Sequence, residues 1–106
     1  MNSSHIDRKI AVIFATDLVG YSKHMEKDEN ATLRGLRECN KIIEIIIKKQ
    51  KGRIFNTGGD SVFAEFPSAV AAVDTAVEFQ KQIKDRNEKD TTDIKLEYRI
   101  GINMGD

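Results

Sequence analysis

Asp17 and Asp60 are the residues of this 106-residue chain best placed to do chemistry. The first lies in Ile10-Ala-Val-Ile-Phe-Ala-Thr-Asp-Leu-Val-Gly-Tyr-Ser22, the second in Asn56-Thr-Gly-Gly-Asp-Ser61. Each stands where an apolar, strand-like run meets glycine. Glycine lets a backbone turn sharply or approach a ligand closely. An aspartate beside it can face solvent and hold a hard cation through oxygen. Together the two make a carboxylate pair suited to magnesium and a nucleoside triphosphate. Alone, either is an ordinary turn residue, because aspartate favours turns through its local hydrogen bonds.

The pair matters only if folding brings it together, which depends on the order of elements. Residues 1–8 read as a loose polar tail and residues 9–106 as one domain. Lys9 to Ala15 is nearly continuously apolar, which predicts a central strand covered on both faces. From about Asp28 to Lys49, Leu33, Leu36, Ile43, Ile46 and Ile47 recur at three- and four-residue spacing, as on an amphipathic helix. Lys51-Gly52 ends that helix. Arg53 to Asn56 and Ser61 to Phe66 read as strands joined by a turn over Thr57-Gly58-Gly59-Asp60. Pro67-Ser68 opens a second helix, with Val70, Val73, Val77 and Ile83 as its buried face and Ala69 and Ala76 close by. Asp85 to Asp93 reads as a polar connection. Leu96, Tyr98, Ile100 and Ile102 then alternate with polar neighbours as a half-buried strand.

The resulting order, βαββαβ, is the ferredoxin-like α+β sandwich. In it the first and third strands are antiparallel neighbours at the centre of the sheet. The end of the first lies beside the start of the third, so Asp17 and Asp60 converge on one edge. Two carboxylates so close repel each other and call for a cation between them. Gly20-Tyr21-Ser22 precede or begin a helix, where free N–H groups attract phosphate. No Gly-x-x-x-x-Gly-Lys-Ser/Thr loop occurs, so the phosphate device is not a P-loop.

Bulk properties narrow the function classes. Seventeen basic residues offset seventeen acidic ones, which removes the electrostatic case for nucleic-acid binding. The lone Cys39 permits no internal disulfide, fits a reducing cytoplasm, and falls in a helical pattern as a structural thiol. No signal peptide is evident, and the longest apolar stretch is too short to span a bilayer. A cytoplasmic protein without membrane insertion in this segment is expected. His5 and His24 have no second ligand at metal-binding spacing.

Three segments occur in order and at suitable spacing: Phe14 to Ser22, Gly52 to Pro67 and Tyr98-Arg-Ile-Gly-Ile-Asn-Met-Gly-Asp106. Together they closely resemble the catalytic domain of class III adenylate/guanylate cyclases, particularly the bacterial branch, from about Arg8 onward. The resemblance implies conversion of ATP to cyclic AMP and pyrophosphate. It implies that Asp17, Asp60 and the Leu18 backbone carbonyl hold two magnesium or manganese ions. It also implies that the backbone of Gly20, Tyr21 and Ser22 cradles the triphosphate. The chemistry that the resemblance implies is two-metal phosphoryl transfer. Members of the family work as head-to-tail homodimers with nucleotide held between two chains.

Two departures from the family pattern stand out. Asn56 occupies the place where adenylate cyclases carry lysine and guanylate cyclases glutamate, and its amide enforces neither base. The similarity covers only the N-terminal part of the domain, without the later asparagine and arginine that stabilise the transition state. Little or no activity is therefore expected of the 106-residue chain alone. The alternatives are a non-catalytic cyclase-like module that binds nucleotide or a partner, a guanylate cyclase, or a diguanylate cyclase. The last is suggested by Gly58-Gly59-Asp60 but lacks the glutamate that Ser61 replaces. An RNA-binding module of the same strand order would need basic residues beside Phe55 and Phe63.

Overall fold

The computed structural model describes residues 11–105. The expected tail over 1–8, together with Lys9, Ile10 and Asp106, lies outside the described residues. Along the chain run β1 (Ala11–Leu18), α1 (Tyr21–Lys27), α2 (Glu29–Lys49), β2 (Arg53–Gly58), β3 (Ser61–Phe66), α3 (Ala69–Lys89) and β4 (Tyr98–Gly105). The strands form one antiparallel sheet in the order β2-β3-β1-β4, which is the expected α+β arrangement. α2 and α3 cover one face of it.

β1 is central, but it is not covered on both faces as its apolar run suggested. Val12, Phe14, Thr16 and Leu18 are buried, whereas Ala11, Ile13, Ala15 and Asp17 are only half-buried. The helices occupy one side only, so alternate residues face an open side. That open side carries Asp17.

α1 and α2 are separated by Asp28. Its carboxylate caps α2 by accepting from the Ala31 amide at 3.0 Å, while its own N–H donates to the His24 carbonyl at 2.9 Å. The buried stripe of α2 runs through Leu36, Cys39, Ile43, Ile46 and Ile47, while Leu33, expected on the same stripe, is only half-buried. The helix stops in a paired-bond cap: Gly52 N–H donates to the Ile47 carbonyl at 2.8 Å and Lys51 N–H to that of Lys48 at 3.0 Å. Lys51, not Gly52, holds the left-handed position (φ 63). Gly52 is needed for space instead, because a Cβ there would come within 2.6 Å of the Phe66 ring.

α3 corrects the expected buried face. Ala72, Thr75, Phe79 and Ile83 are buried, while Val70, Val73 and Val77 are exposed. Apolar residues at helical spacing lie on both sides of this helix, so periodicity alone does not choose between them. The Phe79 ring chooses: it packs edge-on against Tyr98 at 5.1 Å, and fully buried Ala72 lets the helix sit close to the sheet. α3 also runs on to Lys89 through most of the stretch read as a connection. Asn87 fixes the chain after it, its amide donating to the Leu96 carbonyl at 2.7 Å and accepting from the Leu96 N–H at 3.2 Å. Ile94 and Leu96 are buried just before β4 begins.

Candidate functional site

The two aspartates meet, and the backbone is what joins them. β2 extends to Gly58, so the hairpin turn is two residues long, Gly59-Asp60, rather than the four expected. Gly59 takes the left-handed conformation (φ 56) that the first position of such a turn asks for. Asp60 therefore sits immediately before β3. Thr16 pairs with Val62 across β1 and β3, which carries the end of β1 past the turn. There the Leu18 N–H donates to Asp60 Oδ2 at 3.1 Å. Leu18 thus binds one carboxylate through its amide while its chain neighbour, Asp17, carries the other. The buried Leu18 side chain anchors both.

Asp17 points to the open face. It stands opposite Arg99 in the β1–β4 register, and Arg99 Nη2 donates to its Oδ2 at 2.6 Å. This hydrogen bond, followed by the Asp17 charge and then that of Asp60, raises the Arg99 pKa above its ordinary value. Sequence reasoning missed Arg99. The signal was there: it is a polar member of the β4 alternation, and the predicted strand order sets β4 beside β1.

Gly20 also sits in the left-handed region (φ 70), and α1 begins at Tyr21. A Cβ on Gly20 would meet nothing within 4 Å, so conformation rather than space favours glycine there. The first N–H groups of a helix have no partner within it, which leaves those of Tyr21 and Ser22 available at the end of β1. Tyr21 turns its half-buried ring toward the core, so its part in any ligand contact falls to its backbone. Asn56 is exposed on β2, next to a bulge at Phe55 and opposite Phe63. Phe63 pairs in turn with Ala15, which places Asn56 on the open face two strands away from β1.

The donor set suits a cation that is completed by its ligand. Among the described residues no group of three or more His, Cys, Asp or Glu could enclose a metal. Magnesium seldom needs such a cage, since it is commonly held by one or two carboxylates plus substrate phosphates and water. Asp17 is part-exposed, and Asp60 spends one oxygen on Leu18. A hollow of about 620 Å³, lined by residues such as Gln80, Lys84, Leu96 and Tyr98, lies away from the aspartates. It is open, and its two carboxylates, Glu88 and Glu97, share it with Lys84 and Lys95 and have no glycine turn beside them, so the chemistry is better placed at the shallow sheet end. Among the described residues no helix is long and apolar enough to cross a membrane.

Comparison with known proteins agrees with the fold. No protein-family model matches the sequence. The chain is 37% identical over 107 residues to a candidate adenylate cyclase of Rhizobium meliloti, an alignment that spans all of this chain and 18% of that protein. Its fold matches the crystal structure of an adenylate/guanylate cyclase/hydrolase from Silicibacter pomeroyi with a TM-score of 0.80 at 35% identity, covering 93% of this chain and 58% of that one. It matches the adenylyl cyclase CyaB from P. aeruginosa with a TM-score of 0.77 at 28% identity, covering 93% and 57%. The chain thus spans little more than half of the solved domains it resembles, and about a fifth of the curated relative.

Proposed function

We propose, for a chain that has the sequence and fold of the N-terminal part of a class III adenylate/guanylate cyclase catalytic domain, that it forms the metal-binding half of a site converting ATP to cyclic AMP and pyrophosphate. The observation that carries this reading is the 3.1 Å bond from the Leu18 amide to Asp60, which brings a second carboxylate to the end of β1 beside Asp17.

In this account Asp17, Asp60 and the Leu18 carbonyl hold two magnesium or manganese ions. Such ions, when bound, supply acidification of the ribose 3′-hydroxyl and neutralisation of phosphate charge. The chain's own residues bind and align. The backbone N–H groups after Gly20 receive the triphosphate, and the rigid end of β1 keeps it beside the carboxylates. The reaction joins the 3′-oxygen to the α-phosphorus, breaks the bond from that phosphorus to pyrophosphate and releases the 3′-hydroxyl proton to water. Asn56 lies on the same open face and is the candidate contact for the base, where its amide can both donate and accept. Adenine is the assigned base from the bacterial relatives, with guanine as the alternative that Asn56 leaves chemically open.

A second copy of the domain completes the site. The open face offers Ile13, Phe63 and the exposed Phe55 for that contact, the two phenylalanine rings lying 6.3 Å apart. Turnover is assigned to a protein carrying the whole domain on both sides of that interface.

Titration of the chain with magnesium and a non-hydrolysable ATP analogue, followed by amide resonances, tests the reading. Shifts concentrated at Asp17, Gly20 and Asp60 are expected. Shifts scattered elsewhere, or none at these residues, would overturn it.

A further inference from the structure

Arg86 and Arg99 show two different ways of using a guanidinium. Arg86 is only 11% exposed and is held by the Glu38 carboxylate, the Asn87 amide oxygen and Asp90. It is a fixed part of the packing between α2 and α3. Arg99 is 71% exposed, and among the described residues its guanidinium has one partner, Asp17, at 2.6 Å. It sits on the open face, directly across from Asp17 in the register of β1 and β4.

We propose that Arg99 is a displaceable counter-ion: it occupies the Asp17 carboxylate while the site is free of metal and yields it when a divalent cation binds. This rests on the cation site of the preceding subsection and adds to it a residue that sets how readily the site loads. Two acidic side chains meeting at one strand end repel each other when nothing lies between them. Arg99 offsets part of that repulsion. An exposed ion pair is weakly held, so it can give way. A divalent ion shared by Asp17 and Asp60 carries twice the charge of the guanidinium and contacts both carboxylates.

Arg99 acts through Asp17 and is a positioning residue, so its test reads binding rather than turnover. The dissociation constant for Mn²⁺ alone is measured from the electron paramagnetic signal of the free ion. Arg99→Ala should bind Mn²⁺ about two- to fivefold more tightly than the unaltered chain, and Arg99→Lys should fall between the two. Arg53→Ala is the control for bulk charge. It removes an equal charge from a separate pair, Arg53 with Glu65 (2.6 Å), set opposite Ile13 rather than Asp17, and should leave the affinity unchanged. In the unaltered chain, magnesium should shift the Arg99 side-chain Nε resonance in the same direction as Asp17→Asn does without metal.

Three results would overturn the proposal. The first is unchanged or weaker Mn²⁺ binding in Arg99→Ala. The second is equal tightening in Arg53→Ala. The third is an Arg99 resonance that stays in place while the Leu18 and Asp60 amides respond to magnesium. Silence of those amides as well would overturn the cation site itself, and the counter-ion role with it.

Discussion

The Leu18 amide donates to the Asp60 carboxylate at 3.1 Å, so the residue after one aspartate holds the other in place. The assembly of the site is therefore a property of the β1–β3 backbone and does not depend on long side chains finding each other. The same bond ties the β2–β3 turn to the central strand. Asp60→Ala should lower folding stability by about 1.5–3 kcal/mol, the range for a hydrogen bond to a charged group. Asp60→Asn keeps an acceptor oxygen and should lose less than half of that. Denaturant unfolding of the two variants checks the order, and equal losses would mean that the bond does not carry the tie.

The end of α2 makes a second prediction. Gly52→Ala places a Cβ 2.6 Å from the Phe66 ring and 2.9 Å from Ile47 Cγ2, both in the buried core. Overpacking of this kind typically costs about 1–3 kcal/mol. Lys51→Gly relieves a left-handed lysine and should be neutral or stabilising by up to about 1 kcal/mol. Thermal unfolding should move in opposite directions for these adjacent positions.

The two faces of α3 can be separated by truncation. Phe79→Ala empties a fully buried position against Tyr98 and should cost about 3–5 kcal/mol. Val77→Ser, on the 51% exposed side, should stay within about 0.5 kcal/mol. Equal losses would restore the face expected from valine spacing.

That reversal shows where sequence reasoning ends. The strand order, the long α2 and the meeting of Asp17 with Asp60 follow from patterns whose neighbours settle them: an apolar run before glycine, an isoleucine cluster that continues a helical stripe, a glycine turn before a strand. α3 carries apolar residues on both sides, and the choice between them depends on how the Phe79 ring fits against β4, which lies well beyond α3 in the chain. The apolar run from Lys9 to Ala15 suggests that both faces of β1 are covered, but the half-exposure of Ile13 and Ala15 is a matter of which layers are present. The Asp17–Arg99 pair needed the β1–β4 register, one step finer than strand order. In each case the missing information was a contact between distant residues, which local periodicity does not encode.

Acid should reveal the loop after α3. The Asp90 carboxylate accepts from the Thr92 hydroxyl and amide and faces Arg86 and Lys95. The Thr92 hydroxyl bond is the main cause holding its pKa below the usual carboxylate value. A group whose folded pKa is depressed stabilises the fold above its unfolded pKa, near 3.9 for aspartate. That stabilisation is lost as pH falls through the folded value. Asp90→Asn should therefore be less stable than the unaltered chain at neutral pH, with the difference shrinking as pH drops below about 4. A difference that stays constant across this range would contradict the contribution of Asp90.

Mn²⁺ as a paramagnetic probe shows whether Asp17 and Asp60 hold a cation jointly. Substoichiometric Mn²⁺ should broaden the amide resonances of Asp17, Leu18 and Asp60 together, ahead of those at the far end of β1 and β3. Asp17→Asn and Asp60→Asn should each abolish the broadening at all three amides, because each removes half of the carboxylate pair. Broadening that survives in either variant, or that settles on acidic residues of α2 or α3 instead, would contradict the shared site.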